Sequence, residues 1–118
     1  MSDIRAIYER IGADFDDVAG RLGSPALVER FAGKFVQDES FSQLEDALAA
    51  HDAKAAFRAA HTLKGVAANL SFEPLRQSAS ALTELLRHAD SIPPEALPLF
   101  AQVTRDYEAT LAAIAQLD

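Results

Sequence analysis

Apolar residues recur along the chain at intervals of three and four, the spacing that lines one face of an α-helix, and no segment keeps the alternate-residue pattern of a strand. The pattern predicts an all-α protein. Ile4, Ile7, Tyr8 and Ile11 mark a short first helix with Ser2 as its cap, and Phe15, Val18, Ala19 and Leu22 mark a second, punctuated by Gly12 and Gly23. Ser24-Pro25 reads as a cap followed by proline in the first turn. It opens a helix expected to turn Leu27, Val28, Phe31, Phe35 and Val36 inward, and the segment from Asp38 to Ser40 breaks it. Phe41, Leu44, Ala47, Leu48 and His51 mark the next helix, and Asp52 is placed to cap a long one that reaches about Ser71. Pro74 fits the first turn of another, with Leu75, Ala79, Leu82, Leu86 and Ala89 inward. After a connection from Ser91 to Pro94, the last helix carries Leu97, Phe100, Thr104, Tyr107, Leu111 and Ile114. Its start falls between Pro94 and Leu97, because Pro98 is tolerated only near a helix N-terminus.

Amphipathic helices of this length joined by short connections pack most simply as an antiparallel four-helix bundle, here with short extra N-terminal helices laid across it. The expected organisation is one domain over residues 1–118, with short helices in 1–23 and the helical bundle in 24–117. From a length of 118 residues we expect one core and no second, catalytic domain. The lack of cysteine excludes a disulfide scaffold, an iron–sulfur cluster, a thiolate zinc site and a cysteine nucleophile. The N-terminal residues are not followed by the apolar run of a secretory signal, and no stretch approaches the roughly 18 apolar residues of a membrane span. These features lead us to expect a cytoplasmic protein that does not engage a membrane. Eleven Lys+Arg against 18 Asp+Glu leave a net charge of −7, so the broad basic footprint required by nucleic acid is missing and any basic patch must be local.

One such patch is visible. With residues about 100° apart around the helix that follows Asp52, Ala55, Ala56, Ala59, Ala60, Leu63, Val66, Ala67 and Leu70 fall on one apolar face. His61 projects from the opposite side, with Phe57 and Arg58 one turn below and Lys64 and Gly65 one turn above; Lys54, Ala68 and Asn69 complete that face. No Asp or Glu occurs between Ala53 and Phe72. Gly65 in mid-helix costs about 1 kcal/mol relative to Ala, and the clearance it leaves, extended by Ala68, opens an approach to the outward nitrogen of His61. Nearby cations favour the neutral imidazole, whose lone pair is free. An uncrowded imidazole beside Lys64, Arg58 and Lys54 suits a phosphorylated histidine, with cations to hold the equatorial oxygens. The acid-free surroundings offer no ligands for Mg²⁺, so the metal is expected from a partner protein.

The run His61-Thr62-Leu63-Lys64-Gly65-Val66-Ala67-Ala68-Asn69-Leu70 resembles the signature of histidine-containing phosphotransfer (HPt) domains, with His, then Lys-Gly three and four residues on, then Asn eight residues on. The resemblance extends from about Leu27 to Ile114. It departs at Ser71-Phe72, where many members carry small residues such as Gly-Ala. The resemblance implies a four-helix bundle with the histidine exposed and no intrinsic kinase or phosphatase activity. It further implies a carrier that shuttles a phosphoryl group between aspartates of response-regulator receiver domains or hybrid histidine kinases; we expect it to be a monomer that needs no cofactor of its own. On that reading His61 is the phosphoacceptor and Lys64, with Arg58, stabilises the phosphoryl group. Lys54, Phe57, Gly65, Ala68 and Asn69 meet the partner.

Plainer readings stand beside this one. Lys54, Arg58 and Lys64 also fit an ordinary solvated face, Asn69 a helix terminator, and Phe57 the edge of the core. His51 and His88 read as background. A general base or metal ligand at His61 would need a carboxylate or a second ligand one turn away, where Phe57, Arg58, Lys64 and Gly65 stand instead. The alternative function is a helical adaptor that binds partners without phosphotransfer.

Overall fold

The computed structural model describes residues 3–117, which form seven α-helices and no strand. In chain order these are α1 (Ile4–Arg10), α2 (Phe15–Leu22), α3 (Pro25–Phe35), α4 (Ser40–Ala49), α5 (Ala53–Asn69), α6 (Glu73–Leu86) and α7 (Ala96–Ile114). Four of them start on a side-chain cap that accepts a hydrogen bond from an otherwise unpaired backbone N–H. Asp14, Ser24 and Asp52 cap α2, α3 and α5 at 2.9, 3.2 and 3.0 Å. Ser2, expected to cap the first helix, lies outside the described residues; Asp3 caps α1, accepting from the Ala6 N–H at 2.8 Å.

The all-α bundle expected from the periodicity is present. α5 lies between α4 and α6, and its covered face is built largely from alanine: Ala53, Ala56, Ala59, Ala60 and Ala67 are buried together with Leu63. Such small side chains let neighbouring helices approach closely and grip α5 along its length. α7 packs on α6 and meets α4 through aromatic stacking, Phe41 lying parallel to Tyr107 with ring centroids 4.1 Å apart and to Phe100 at 5.6 Å. The three leading helices cover the end of the bundle where α5 turns into α6. Buried Phe72 anchors that junction, its ring centroid 5.3 Å from Tyr8 of α1 and 5.2 Å from Phe35 of α3.

Several expected positions differ. In α3 the inward residues are Val28, Ala32 and Phe35, whereas Leu27, Phe31 and Val36 are exposed to 36%, 39% and 54%. α3 packs mainly on the short α1 and α2, so only a narrow stripe of it is covered. Leu97, in the first turn of α7, is 72% exposed, and the buried line of that helix runs through Ala96, Val103, Thr110, Ala113 and Ile114. His51 and Ala89 fall beyond the ends of α4 and α6, and α5 ends at Asn69 rather than Ser71. The start of α7 at Ala96 puts Pro98 in the first turn, where its missing N–H costs no helical hydrogen bond. No helix among the described residues is long and apolar enough to cross a membrane.

Candidate functional site on the outer face of α5

Since α5 is covered by neighbours on either side, one strip of it faces solvent, and that strip carries His61. The imidazole is exposed, while Ala60 before it and Leu63 after it are fully buried. A reactive group on a helix held in this way keeps its position without a loop's freedom. The ring takes part in none of the side-chain hydrogen bonds or ion pairs formed among the described residues; the hydroxyl of its neighbour Thr62 donates within the helix, to the Arg58 carbonyl at 2.9 Å.

Around it, Phe57 is half-buried with its ring centroid 5.9 Å from that of His61, and Lys64 is half-buried on the adjoining turn. Arg58 and Lys54 are exposed on the same face. A Cβ built on Gly65 would meet no atom within 4 Å. Packing within the chain therefore does not call for glycine there, although the helix loses about 1 kcal/mol by having it. Ala68 is exposed and continues the low relief beside the imidazole. Asn69, exposed at the last turn, stands apart from the cluster and borders a groove between α5, α2 and α3.

The face is not free of acid, as the stretch from Ala53 to Phe72 alone suggested. α6 brings up Glu84 and Arg87, paired in a two-pronged ion pair with both N–O distances 3.0 Å, and the Arg87 guanidinium lies over the Phe57 ring at 5.1 Å. The hydrogen bonds from Arg87 hold the Glu84 carboxyl below the usual carboxylate range, and the nearby Lys64 and His61 side chains push it the same way. Glu84 thus lies within electrostatic reach of the imidazole. Sequence reasoning passed over both residues by keeping to one helix. The signal was available: an antiparallel pair turning at residues 70–72 sets position 61 roughly opposite 81–84. The remaining ion pairs among the described residues are Arg5–Asp16, Arg21–Asp17 and Arg76–Glu73, so Lys54, Arg58 and Lys64 keep their charge uncompensated by direct contact. No group of three or more His, Cys, Asp or Glu side chains among the described residues is placed to hold a metal.

Just past α5 the chain turns at Ser71, whose φ of 56° is left-handed and unfavourable for a residue with a Cβ. Local hydrogen bonds answer the strain. The Ser71 hydroxyl donates to Asp17 at 2.6 Å and accepts from Arg21, and Arg21 also donates to the Ala68 carbonyl at 3.2 Å. The Ser71 hydroxyl is the main influence holding the Asp17 carboxyl below its ordinary range. Tyr8 donates its buried hydroxyl to the Leu70 carbonyl at 2.7 Å, and burial pushes that phenol well up, so it remains a donor. Serine is therefore accommodated at this left-handed position, because α1 and α2 close the end of α5 with side chains.

The described geometry is an exposed histidine on a packed helix of an all-α bundle, one turn from a lysine and an unfilled glycine position. The family model of the Hpt domain matches residues 36–117 of the 118-residue chain, and the chain belongs to that family. Membership carries a phosphotransfer role in two-component relays, in which such domains are carriers rather than enzymes. Comparison with curated proteins and with solved structures finds no match.

Proposed function

We propose that this protein is a phosphorelay intermediate that takes a phosphoryl group onto His61 from a phospho-aspartyl receiver domain, or from the receiver of a hybrid histidine kinase, and hands it to a second receiver. The observation that carries the reading is the exposed imidazole of His61 with Lys64 and the open Gly65 position one turn away. In the transfer step the lone pair of the outward ring nitrogen attacks phosphorus. An N–P bond forms as the P–O bond to the partner's aspartate breaks, and the carboxylate leaves with the bonding pair. Lys64 and Arg58 neutralise the equatorial oxygens, while Mg²⁺ belongs to the receiver, whose carboxylates bind it. Phe57, Gly65, Ala68 and Asn69, with Lys54 at the margin, meet the partner. The same chemistry run backwards, onto another aspartate, discharges His61. The domain acts as a monomer in the cytoplasm.

The test is incubation with phosphorylated receiver domains followed by mapping of acid-labile, base-stable phosphate. Wild-type protein is expected to carry it on His61, and His61→Gln to carry none while keeping its helical circular dichroism. Equal labelling of the variant would overturn the assignment and leave the adaptor reading in its place.

A further inference from the structure

The charges on the histidine face come from two helices. α5 supplies Lys54, Arg58 and Lys64, α6 supplies Glu84, and Arg87 follows as the C-cap of α6. His88 and Asp90, just beyond, line a cleft with Lys54, Phe57 and Arg58. α4, on the other flank of α5, sets the uncharged Gln43 beside Arg58 and Thr62, and none of its carboxylates forms an ion pair among the described residues. Asp17 and Arg21 of α2 stand at the far end of α5, paired with each other. Glu84 is the acid within electrostatic reach of both Lys64 and His61. Arg87 grips it with two prongs, both N–O distances 3.0 Å. The same guanidinium lies 5.1 Å from the centre of the Phe57 ring, whose centroid is 5.9 Å from that of His61. The carboxylate is thus tied into the group of side chains beside the imidazole. A free carboxylate there would be drawn to Lys64; held by Arg87, it leaves Lys64 without an ion pair among the described residues.

Resting on the phosphotransfer reading of His61, we infer that Glu84 sets how long His61 keeps its phosphoryl group, and that Arg87 is the positioning residue that holds Glu84 to this task. The carboxylate acts by charge, since the ring makes no side-chain hydrogen bond among the described residues. Two effects run in the same direction. A carboxylate near the phosphorylated ring favours a proton on the nitrogen that does not carry phosphorus. A ring protonated there leaves as neutral imidazole when the N–P bond breaks. The carboxylate also repels the phosphoryl oxygens that Lys64 and Arg58 attract. In discharge an oxygen of water or of a receiver's aspartate forms the new P–O bond, and the pair of electrons from the N–P bond stays with the ring nitrogen. Cations alone would stabilise the resting phosphorylated state and slow hand-on together with hydrolysis. One fixed carboxylate offsets them and keeps the group transferable.

The experiment labels the full chain with phosphoramidate, which needs no docking surface, removes the reagent and follows the decay of phosphorylated His61 across pH with no receiver present. Decay slows as rising pH takes the proton from the ring. Glu84→Gln is expected to lengthen the half-life at neutral pH about two- to fivefold. It should also bring the slowing on at a pH lower by about half a unit, because the ring then gives up its proton more readily. Arg87→Gln releases the carboxylate to Lys64 and is expected to shorten the half-life, with the slowing moved to higher pH. Both side chains are exposed and their ion pair lies at the surface, so each variant keeps its helical circular dichroism. An ion pair that merely braces α6 would move both variants the same way and leave the pH profile in place. A Glu84→Gln half-life and pH profile equal to wild type, or a change of the same sign in both variants, overturns the inference while leaving His61 phosphotransfer standing. Wild-type protein that takes phosphate on His61 neither from phosphoramidate nor from any receiver overturns the phosphotransfer reading itself, and this inference with it.

Discussion

Gly65 is the residue whose cost and use are most cleanly separated. An alanine methyl there would touch nothing within 4 Å, so no internal packing is lost by adding it. Gly65→Ala is therefore expected to raise stability by up to about 1 kcal/mol, read as a higher urea midpoint at unchanged m-value, and to slow receiver-driven labelling of His61. A larger side chain should block labelling. A variant that is more stable and equally fast would show that the clearance has no function. His61, Lys64 and Gly65 were legible in the sequence because helical geometry alone sets their mutual positions. Glu84 and Arg87 were not, since their place beside the imidazole depends on how α6 folds back along α5.

At the level of elements, the end of α5 is held by hydrogen bonds that cross more than fifty residues of sequence. Tyr8 answers the Leu70 carbonyl from 62 residues away, and Asp17 meets Ser71 across 54. Tyr8→Phe keeps the ring in its place among Phe15 and Phe72 and removes only the donor, leaving a buried carbonyl unpaired. The expected cost is about 1–2 kcal/mol, measured by urea denaturation, with phosphoramidate labelling of His61 in the folded variant unchanged. A neutral substitution would mean that water replaces the phenol. Helix starts at Ser24 and Asp52 were readable from their caps, which are local signals. The inward face of α3 was not. Periodicity reports which residues share a side but not how much of that side a neighbour covers, and α1 and α2 are too short to cover Leu27, Phe31 and Val36.

Over the whole molecule, a net charge of −7 coexists with four cations, Lys54, Arg58, Lys64 and Arg87, gathered near His61, of which only Arg87 is paired with a carboxylate among the described residues. This polarity should draw the acidic pocket of a receiver to the correct face and repel it elsewhere. The rate of receiver-driven labelling is expected to fall several-fold as salt shortens the screening length from about 30 Å at 0.01 M to about 8 Å at 0.15 M. Phosphoramidate labelling should respond far less. A flat salt response in both would remove steering from the account. Composition alone disclosed the overall acidity. The gathering of opposite charge became visible only in part along α5, because Arg87 arrives from another helix.

The closure of α5 by its leading neighbours also bears on what can be transplanted. A chimaera spliced at Val36, where the family match begins, would inherit the imidazole, the lysine and the four bundle helices. It would leave behind the phenol and guanidinium that terminate the histidine helix. The portable unit accordingly includes α1, α2 and α3 as well as the four bundle helices, and a graft that keeps them should keep the end of the histidine helix closed.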